Sequence, residues 1–501
     1  MQQTHPLLAL IALLPTPTFA APAAAATSAQ PNVLFIIADD ASCHFGESYR
    51  CNWVKTPHID RLAKQGLVFD NAYTPTSKCA PSRAAIMTGR NPWQLEEAAN
   101  HQPYFPAKFM AFSEALAKAG IACGAAGKTW APGEARLADG SPRNFALRGN
   151  GVVNDREPGA NLTAFLKTRQ PGQPFFYWFG SHYPHRGYKY DSGIEAGKKT
   201  SDIDRVPTYW PDHDVVRRDM LDYAIEVEAY DTQVGSLLTA LEASGETKNT
   251  LIIVTSDHGM PFPRVKGHTY DDAHRVPFVV NWPGRIAQPG RRVAEFISFI
   301  DLAPTFLEAF GVNGTARGMA PITGRSFSDL LRGQATGERG FVILGRERND
   351  VLARPGSMAG LGYPTRAIRE GDLFYVRNFA PERWPCGDPD RDLRDTDNSP
   401  SKTFVAERGE QDLYWQHAYG KRPAEQLFNL ARDPDCVVNL MSDPAHAAKA
   451  AALSEKLMAE LRRQQDPRVL GQGDVFDQYP SPRVTSADQA PTRRAKKKAQ
   501  P

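Results

Sequence analysis

Carboxylates, a lysine and histidines stand in this chain where apolar runs end, and a cysteine opens what reads as a helix. Asp39 and Asp40 follow the run 33–38, and Gly127 and Lys128 follow 121–124. Ser181-His182-Tyr183-Pro184-His185 follows 174–180, and Ser256-Asp257-His258-Gly259 follows 250–255. If these runs are strands of one open α/β sheet, their carboxyl ends meet at a single crevice, which is where such sheets bind ligands. Cations gathered there suit a small anion. Cys79, in Cys79-Ala80-Pro81-Ser82-Arg83, stands at a helix start, where the dipole and unpaired backbone N–H groups also favour an anion. Singly, these residues have plainer readings: the Asp pair as a solvated turn, each cation as a surface residue, Cys79 as a buried structural cysteine or a thiol nucleophile.

The runs are short, rich in β-branched and aromatic residues, and separated by helical patterns with Ser/Thr/Asp starts and Gly stops, the signature of a parallel α/β sheet. Thr56-Pro57 opens a helix that Gly66 closes, and Ser113-Glu114 opens another that stops at Gly120. Asp301 caps a third, with Pro304 in its first turn and Gly311 after it. A longer amphipathic helix spans about 215–243. After about Gly345 come Pro/Gly/Asp-rich segments, an alternating stretch at 373–377 and an amphipathic helix over about 444–465, which predict a smaller α+β subdomain. From about Ser481 a Pro/Ser/Lys-rich tail lacks the apolar residues needed to order.

The segment Cys79-Ala80-Pro81-Ser82-Arg83, with Thr88-Gly89 behind it and about forty residues after Asp39-Asp40, resembles the C-x-P-S-R signature of type I sulfatases. The likeness runs over nearly the whole mature chain. It implies an alkaline-phosphatase-like α/β fold, a mixed and mostly parallel sheet flanked by helices, with a smaller C-terminal α+β subdomain. It implies that a formylglycine-generating maturation enzyme oxidises Cys79 to formylglycine (3-oxoalanine), whose aldehyde hydrates to a diol. One divalent cation, calcium with magnesium as the alternative, is implied on Asp39, Asp40, Cys79, Asp257 and His258. His258 stands where the family usually has Asn, and a nitrogen donor weakens the preference for calcium. The catalytic roles carry over to Cys79, to Arg83 in support of the formylglycine, to Lys128 bridging it and the sulfate, to His182 as general acid, and to Lys266 as a sulfate contact. Lys266 belongs to a stretch that continues with Tyr270 and Arg275-Val276-Pro277. His185 carries over as secondary or structural. Trp130 stands where the family has histidine, so one hydrogen bond to the nucleophile is lost or supplied elsewhere.

Within the family, the segments Ser256-Asp257-His258-Gly259-Met260-Pro261-Phe262-Pro263, His182-Tyr183-Pro184-His185-Arg186 and Tyr363-Pro364-Thr365-Arg366 resemble the heparan N-sulfatase (sulfamidase) branch. That implies a sulfated glycan substrate ending in N-sulfoglucosamine, with Arg186, His268, Arg348 and Asp350 as candidate sugar contacts. An O-sulfatase on another sulfated polysaccharide is the alternative. Behind it stand a phosphatase of the same superfamily and an inactive glycan-binding homologue, the latter prompted by Trp130 and His258.

The 501 residues are 41% hydrophobic and 23% charged, which excludes a collagenous, disordered or membrane-spanning chain. Of the net charge of +3, five positive charges lie in the tail at Arg493, Arg494 and Lys496 to Lys498, so the remainder carries −2 and offers no basic face for nucleic acid. The apolar run 7–14, too short to span a bilayer, is followed by Pro15, Pro17 and small residues, which reads as a cleaved signal peptide over 1–26 and export to the periplasm or beyond. No other segment reads as transmembrane. The expected layout is a catalytic domain over 31–350, a C-terminal subdomain over 351–475 and a disordered basic tail over 481–501. Six cysteines are too few for a disulfide scaffold, with Cys43–Cys51 the candidate pair. Oligomeric state is not legible in the sequence.

Overall fold

The computed structural model describes Met1 and residues 30–147, 156–334, 339–354 and 360–483. The leader and the tail beyond Arg483 lie outside the described residues. Ser481, the expected start of the tail, is itself packed, its hydroxyl donating to the carbonyl of Gln102 at 2.8 Å.

Seven strands form the central sheet: β1 (Asn32–Ala38), β2 (Leu67–Phe69), β3 (Ala122–Gly127), β4 (Phe175–Gly180), β5 (Thr250–Ser256), β6 (Phe278–Asn281) and β7 (Arg292–Val293). Their order is β7-β2-β6-β5-β1-β4-β3. The run β5-β1-β4-β3 is parallel, with Val33 level with Phe176 and Leu251, whereas β6 is antiparallel to both β5 and β2. The sheet is therefore mixed and mostly parallel. Side chains alternate across a strand, and both faces of β1 are buried. Val33, Phe35 and Ile37 share a core with Phe112, Leu116 and Phe306, while Leu34 and Ile36 share the opposite core with Ile59, Leu162 and Tyr230. Double-sided burial explains why these strands read as continuous apolar runs.

The flanking helices are α1 (Pro57–Gln65), α2 (Cys79–Thr88), α3 (Phe112–Lys118), α4 (Pro158–Lys167), α5 (Asp214–Ala243) and α6 (Leu302–Ala309), all but α4 at places the sequence signals. Helix α3 starts one residue earlier than expected, because Glu114 folds back to accept the Ala111 N–H at 2.8 Å. Asp301 stands at the N-cap position of α6 but makes no side-chain cap bond there. Its carboxylate accepts the N–H groups of Ser298 and Arg325 and pairs with Arg339 at 2.9 Å.

The second unit is an antiparallel sheet of β8 (Phe341–Arg346), β9 (Thr365–Glu370), β10 (Leu373–Asn378) and β11 (Glu425–Asn429) in that order, covered by helix α7 (Ala447–Arg463). Its first strand begins at Phe341, ahead of residue 351. One face packs Ile343, Ile368 and Leu427 against Leu453, Leu457 and Leu461 of α7. The other packs Leu344, Phe374 and Phe428 against Tyr73, Tyr270 and Phe296 of the catalytic unit, which brings the loops between its strands over the crevice.

All six cysteines are free. Cys43 does not pair with Cys51, because its Sγ is turned onto the carbonyl of Arg275, 3.8 Å away. Among the described residues no helix is long and apolar enough to cross a membrane.

Candidate active site

Three buried carboxylates gather at the carboxyl ends of β1 and β5. The Asp40 N–H donates to Asp257 Oδ1 at 3.1 Å, and the Asp257 N–H donates to the carbonyl of Ala38 at 3.2 Å. Asp40 adopts a left-handed φ of 75°, a conformation that costs a non-glycine residue roughly 1–2 kcal/mol and that Asp tolerates better than most. That turn aims Asp39 and Asp40 into the crevice together.

Cations surround them. Arg83 is fully buried, its Nε on Asp257 Oδ2 at 2.8 Å and its Nη2 3.4 Å from Asp39 Oδ1. Its Nη1 donates to the carbonyls of Lys128 and Thr129 at 2.6 and 3.0 Å, so one guanidinium ties the signature helix to two carboxylates and to the turn after β3. That turn is close to β4: a Cβ on Gly180 would sit 1.6 Å from the Lys128 carbonyl, so only glycine fits. Lys128 Nζ donates to both oxygens of Asp39 at 2.8 and 2.7 Å. Lys266 Nζ donates to Asp40 Oδ2 at 2.6 Å and to Asp397 Oδ2 at 2.7 Å. Burial alone would raise the Asp39 carboxyl, but Lys128 and Arg83 hold it well below the usual range. Burial would likewise neutralise Lys266, but Asp397 and Asp40 keep it protonated.

Cys79 is the first residue of α2, a helix whose ten residues are all buried. Ser82 Oγ anchors it by donating to the Asp257 carbonyl at 2.7 Å. Cys79 Sγ lies 3.3 Å from His258 Nε2 and 3.9 Å from Asp40 Oδ1. Burial pushes the thiol far up, so at neutral pH it is a protonated thiol, a weak nucleophile. The thiol-nucleophile reading loses its support here.

The donor set fits a divalent cation. His258 Nδ1 lies 3.0 Å from the Gly259 carbonyl, which can only accept, so Nδ1 carries the proton. Burial also lowers the pKa of this imidazole against the pull of Asp257 and Asp40, so Nε2 presents a lone pair 3.1 Å from Asp40 Oδ1. Two electron-pair donors at that distance repel unless a positive charge lies between them. Asp40, Cys79 and His258 bring ligand atoms within 4.8 Å of one another, as do Asp39, Cys79 and Asp257.

Other expected residues fall differently. His182 and His185 are both exposed after β4, and His185 Nε2 lies 3.9 Å from Asp40 Oδ2, which brings a second imidazole beside His258 to the carboxylates. Trp130 is buried and donates from Nε1 to the Ala80 carbonyl at 3.0 Å, bracing α2. Arg275 pairs with Asp271 at 2.8 Å, outside the cluster. Of the candidate sugar contacts, Arg186 is clamped on Asp219 and sandwiched by Tyr188 and Phe262. His268 is buried with Nε2 2.8 Å from Cys386 Sγ. Arg348 is buried with Nη1 on the Tyr479 carbonyl at 2.9 Å, and Asp350 accepts the Leu352 N–H at 2.7 Å. Asp397, which no sequence signal singles out, is the residue that joins the site from the second unit.

The family model described as Sulfatase matches residues 31–312. Human N-sulphoglucosamine sulphohydrolase is 28% identical over 498 residues, covering 90% of this chain and 94% of its own. An ulvan-active sulfatase of Formosa agariphila is also 28% identical, over 470 residues that cover 85% of this chain and 74% of its own. Phosphonate monoester hydrolase of Agrobacterium radiobacter shares the fold, with a TM-score of 0.64 at 18% identity over 88% of this chain and 97% of that one. With its signature segment inside the matched region, the chain belongs to the sulfatase family and is a sulfuric ester hydrolase.

Proposed function

We propose that the protein removes sulfate from glycans, with N-sulfoglucosamine at the end of heparan-type chains as its substrate. The observation that carries this reading is the setting of Cys79, at the start of a buried helix and facing Asp40 and His258, with Lys128 and Lys266 on the neighbouring carboxylates. Converted to formylglycine by a maturation enzyme, position 79 supplies a hydrated aldehyde with one oxygen to attack sulfur and a second to expel sulfate. Asp39, Asp40, Asp257 and His258 would hold a divalent cation, calcium in view of the three carboxylates, which supplies Lewis-acid polarisation beside position 79. Lys128 and Lys266 offset the negative charge that builds on the sulfate oxygens. Arg83 keeps Asp257 and the Lys128 turn in place. His185, its Nε2 3.9 Å from Asp40 Oδ2, protonates the departing nitrogen or oxygen. The leader-like run 7–14 supports work in the periplasm or outside the cell, and N-terminal sequencing of the exported protein checks it.

The test is coexpression with a formylglycine-generating enzyme, peptide-mass confirmation of conversion at Cys79, and sulfate release from matched N-sulfated and O-sulfated glucosamine disaccharides. Release from the N-sulfated sugar is expected. Release from the O-sulfated sugar alone would discard the substrate and keep the sulfatase chemistry. The equal identity to the ulvan-active relative favours, as the second reading, a different sulfated polysaccharide.

A further inference from the structure

We propose that Asp397 recognises the departing nitrogen of the substrate and so makes this site prefer N-sulfate to O-sulfate. This rests on the N-sulfoglucosamine reading above.

Asp397 reaches the crevice from the segment between β10 and β11, remote in sequence from every other member of the site. Its Oδ2 accepts from Lys266 Nζ at 2.7 Å. One oxygen of Asp397, one oxygen of Asp40 and one ring nitrogen of His185 lie within 4.8 Å of one another. The Asp397 side chain is 25% exposed and that of His185 40%, against 0% for Asp40, so these two form the solvent-facing rim of the cluster. Desolvation opposes the charge on Asp397, but Lys266 and Lys78 hold it ionised.

A permanent negative charge at the mouth of an anion pocket repels the sulfate it must admit. That cost makes sense only on the leaving-group side, next to the proton donor. In N-sulfate cleavage the new bond joins sulfur to the oxygen at position 79, and the S–N bond breaks with its electron pair on nitrogen. The nitrogen takes the proton held by His185 and becomes an amine, and a second proton from water makes it an ammonium. The nitrogen carries an N–H before and throughout this cleavage and is an ammonium after it, and an ionised carboxylate beside the proton donor accepts a hydrogen bond from it at each stage. A bridging ester oxygen carries no hydrogen until it leaves, so it offers the carboxylate lone pairs in place of a donor, and it ends as a neutral alcohol. A charge-assisted hydrogen bond made by the N-sulfate and not by the ester corresponds to about tenfold or more in discrimination.

The experiment uses enzyme converted at Cys79, with Asp397→Asn and Asp397→Glu beside the wild type. The readout is kcat/KM for N-sulfoglucosamine divided by kcat/KM for an aryl sulfate. That ratio is expected to fall at least about tenfold in Asp397→Asn and to recover in Asp397→Glu. Equal losses on both substrates would reduce Asp397 to a prop for Lys266 and overturn the proposal. A second arm measures inhibition of aryl-sulfate turnover by glucosamine and by N-acetylglucosamine. Glucosamine is expected to inhibit the wild type more strongly, and Asp397→Asn to lose that advantage; equal inhibition of both proteins would also overturn it. If the wild type cleaves aryl sulfate but not N-sulfoglucosamine, the substrate reading fails, and the glucosamine arm still decides whether Asp397 binds an ammonium.

Discussion

Arg366, in the C-terminal sheet, is fully buried and paired on every side. Its Nε and Nη2 lie 2.7 and 3.0 Å from the two oxygens of Asp466, Nη2 also reaches Glu347 at 2.7 Å, and Arg468 closes the ring on Glu347 at 2.8 Å. At the ends of β1 and β5, Asp39, Asp40 and Asp257 are buried as deeply and are met by Arg83, Lys128 and Lys266, yet Asp40 also faces an imidazole lone pair and the Cys79 thiol. Planar guanidinium forks complete the first cluster within the protein. The second has a cation for each carboxylate but leaves Asp40 Oδ1 3.1 Å from the His258 Nε2 lone pair, a contact that a bound cation would relieve. Burial of charge is therefore no measure of stability by itself.

Substitutions can separate the two clusters. Replacing Cys79 by Ala removes the nucleophile, so sulfate release by the converted enzyme falls by more than about 10⁴-fold, while the melting temperature stays within about 2 °C of wild type. Turnover near the wild-type rate would remove position 79 from the chemistry. His185→Ala costs about 10²- to 10⁴-fold in kcat, whereas His182→Ala changes it by less than about threefold; the reverse order would return the acid role to His182. Arg366→Leu leaves Asp466 and Glu347 buried without their partner and costs about 3–5 kcal/mol in denaturant unfolding, with turnover per folded molecule retained. A milder loss would mean that the closed network is less closed than its distances imply.

Acid acts on the catalytic unit through two histidines outside both clusters. Burial lowers His44 and His274 to about 4, so the unfolded chain binds protons below its ordinary histidine pKa of about 6.5 while the native protein does not. Their contribution is present above about pH 6.5 and lost as pH falls toward 4, about 3 kcal/mol for each at full titration. Unfolding midpoints measured from pH 7 to 4 should fall steadily, and a flat profile would contradict neutral burial of these rings. The smallest effect belongs to Trp130→Phe, which leaves the Ala80 carbonyl without its donor and costs about 1 kcal/mol, with far less effect on turnover than Cys79→Ala.

The sheet and its crevice are legible in the sequence because strands buried on both faces read as apolar runs, and polar residues directly after them have nowhere to go but the sheet edge. Cys79 and Arg83 are legible because their motif is local. The choice between His182 and His185 is not, since both follow β4 within one turn and the path of that turn decides which ring faces Asp40. Arg186 and His268 read as sugar contacts because their actual partners, Asp219 and Cys386, lie 33 and 118 residues away. Asp397 is illegible for a related reason. Its segment has no periodicity, and only the packing of Phe374 and Phe428 against Tyr270 brings the second sheet over the crevice.

Calcium binding tests most directly whether the strand-end cluster is an open site. The protein, stripped with chelator, is titrated with calcium by calorimetry and unfolded thermally with and without it. One calcium per chain is expected, with stabilisation of about 2.7 kcal/mol at a hundredfold excess over Kd, and both signals should vanish in Asp257→Asn. No binding by the wild type, or equal binding by Asp257→Asn, would contradict the account.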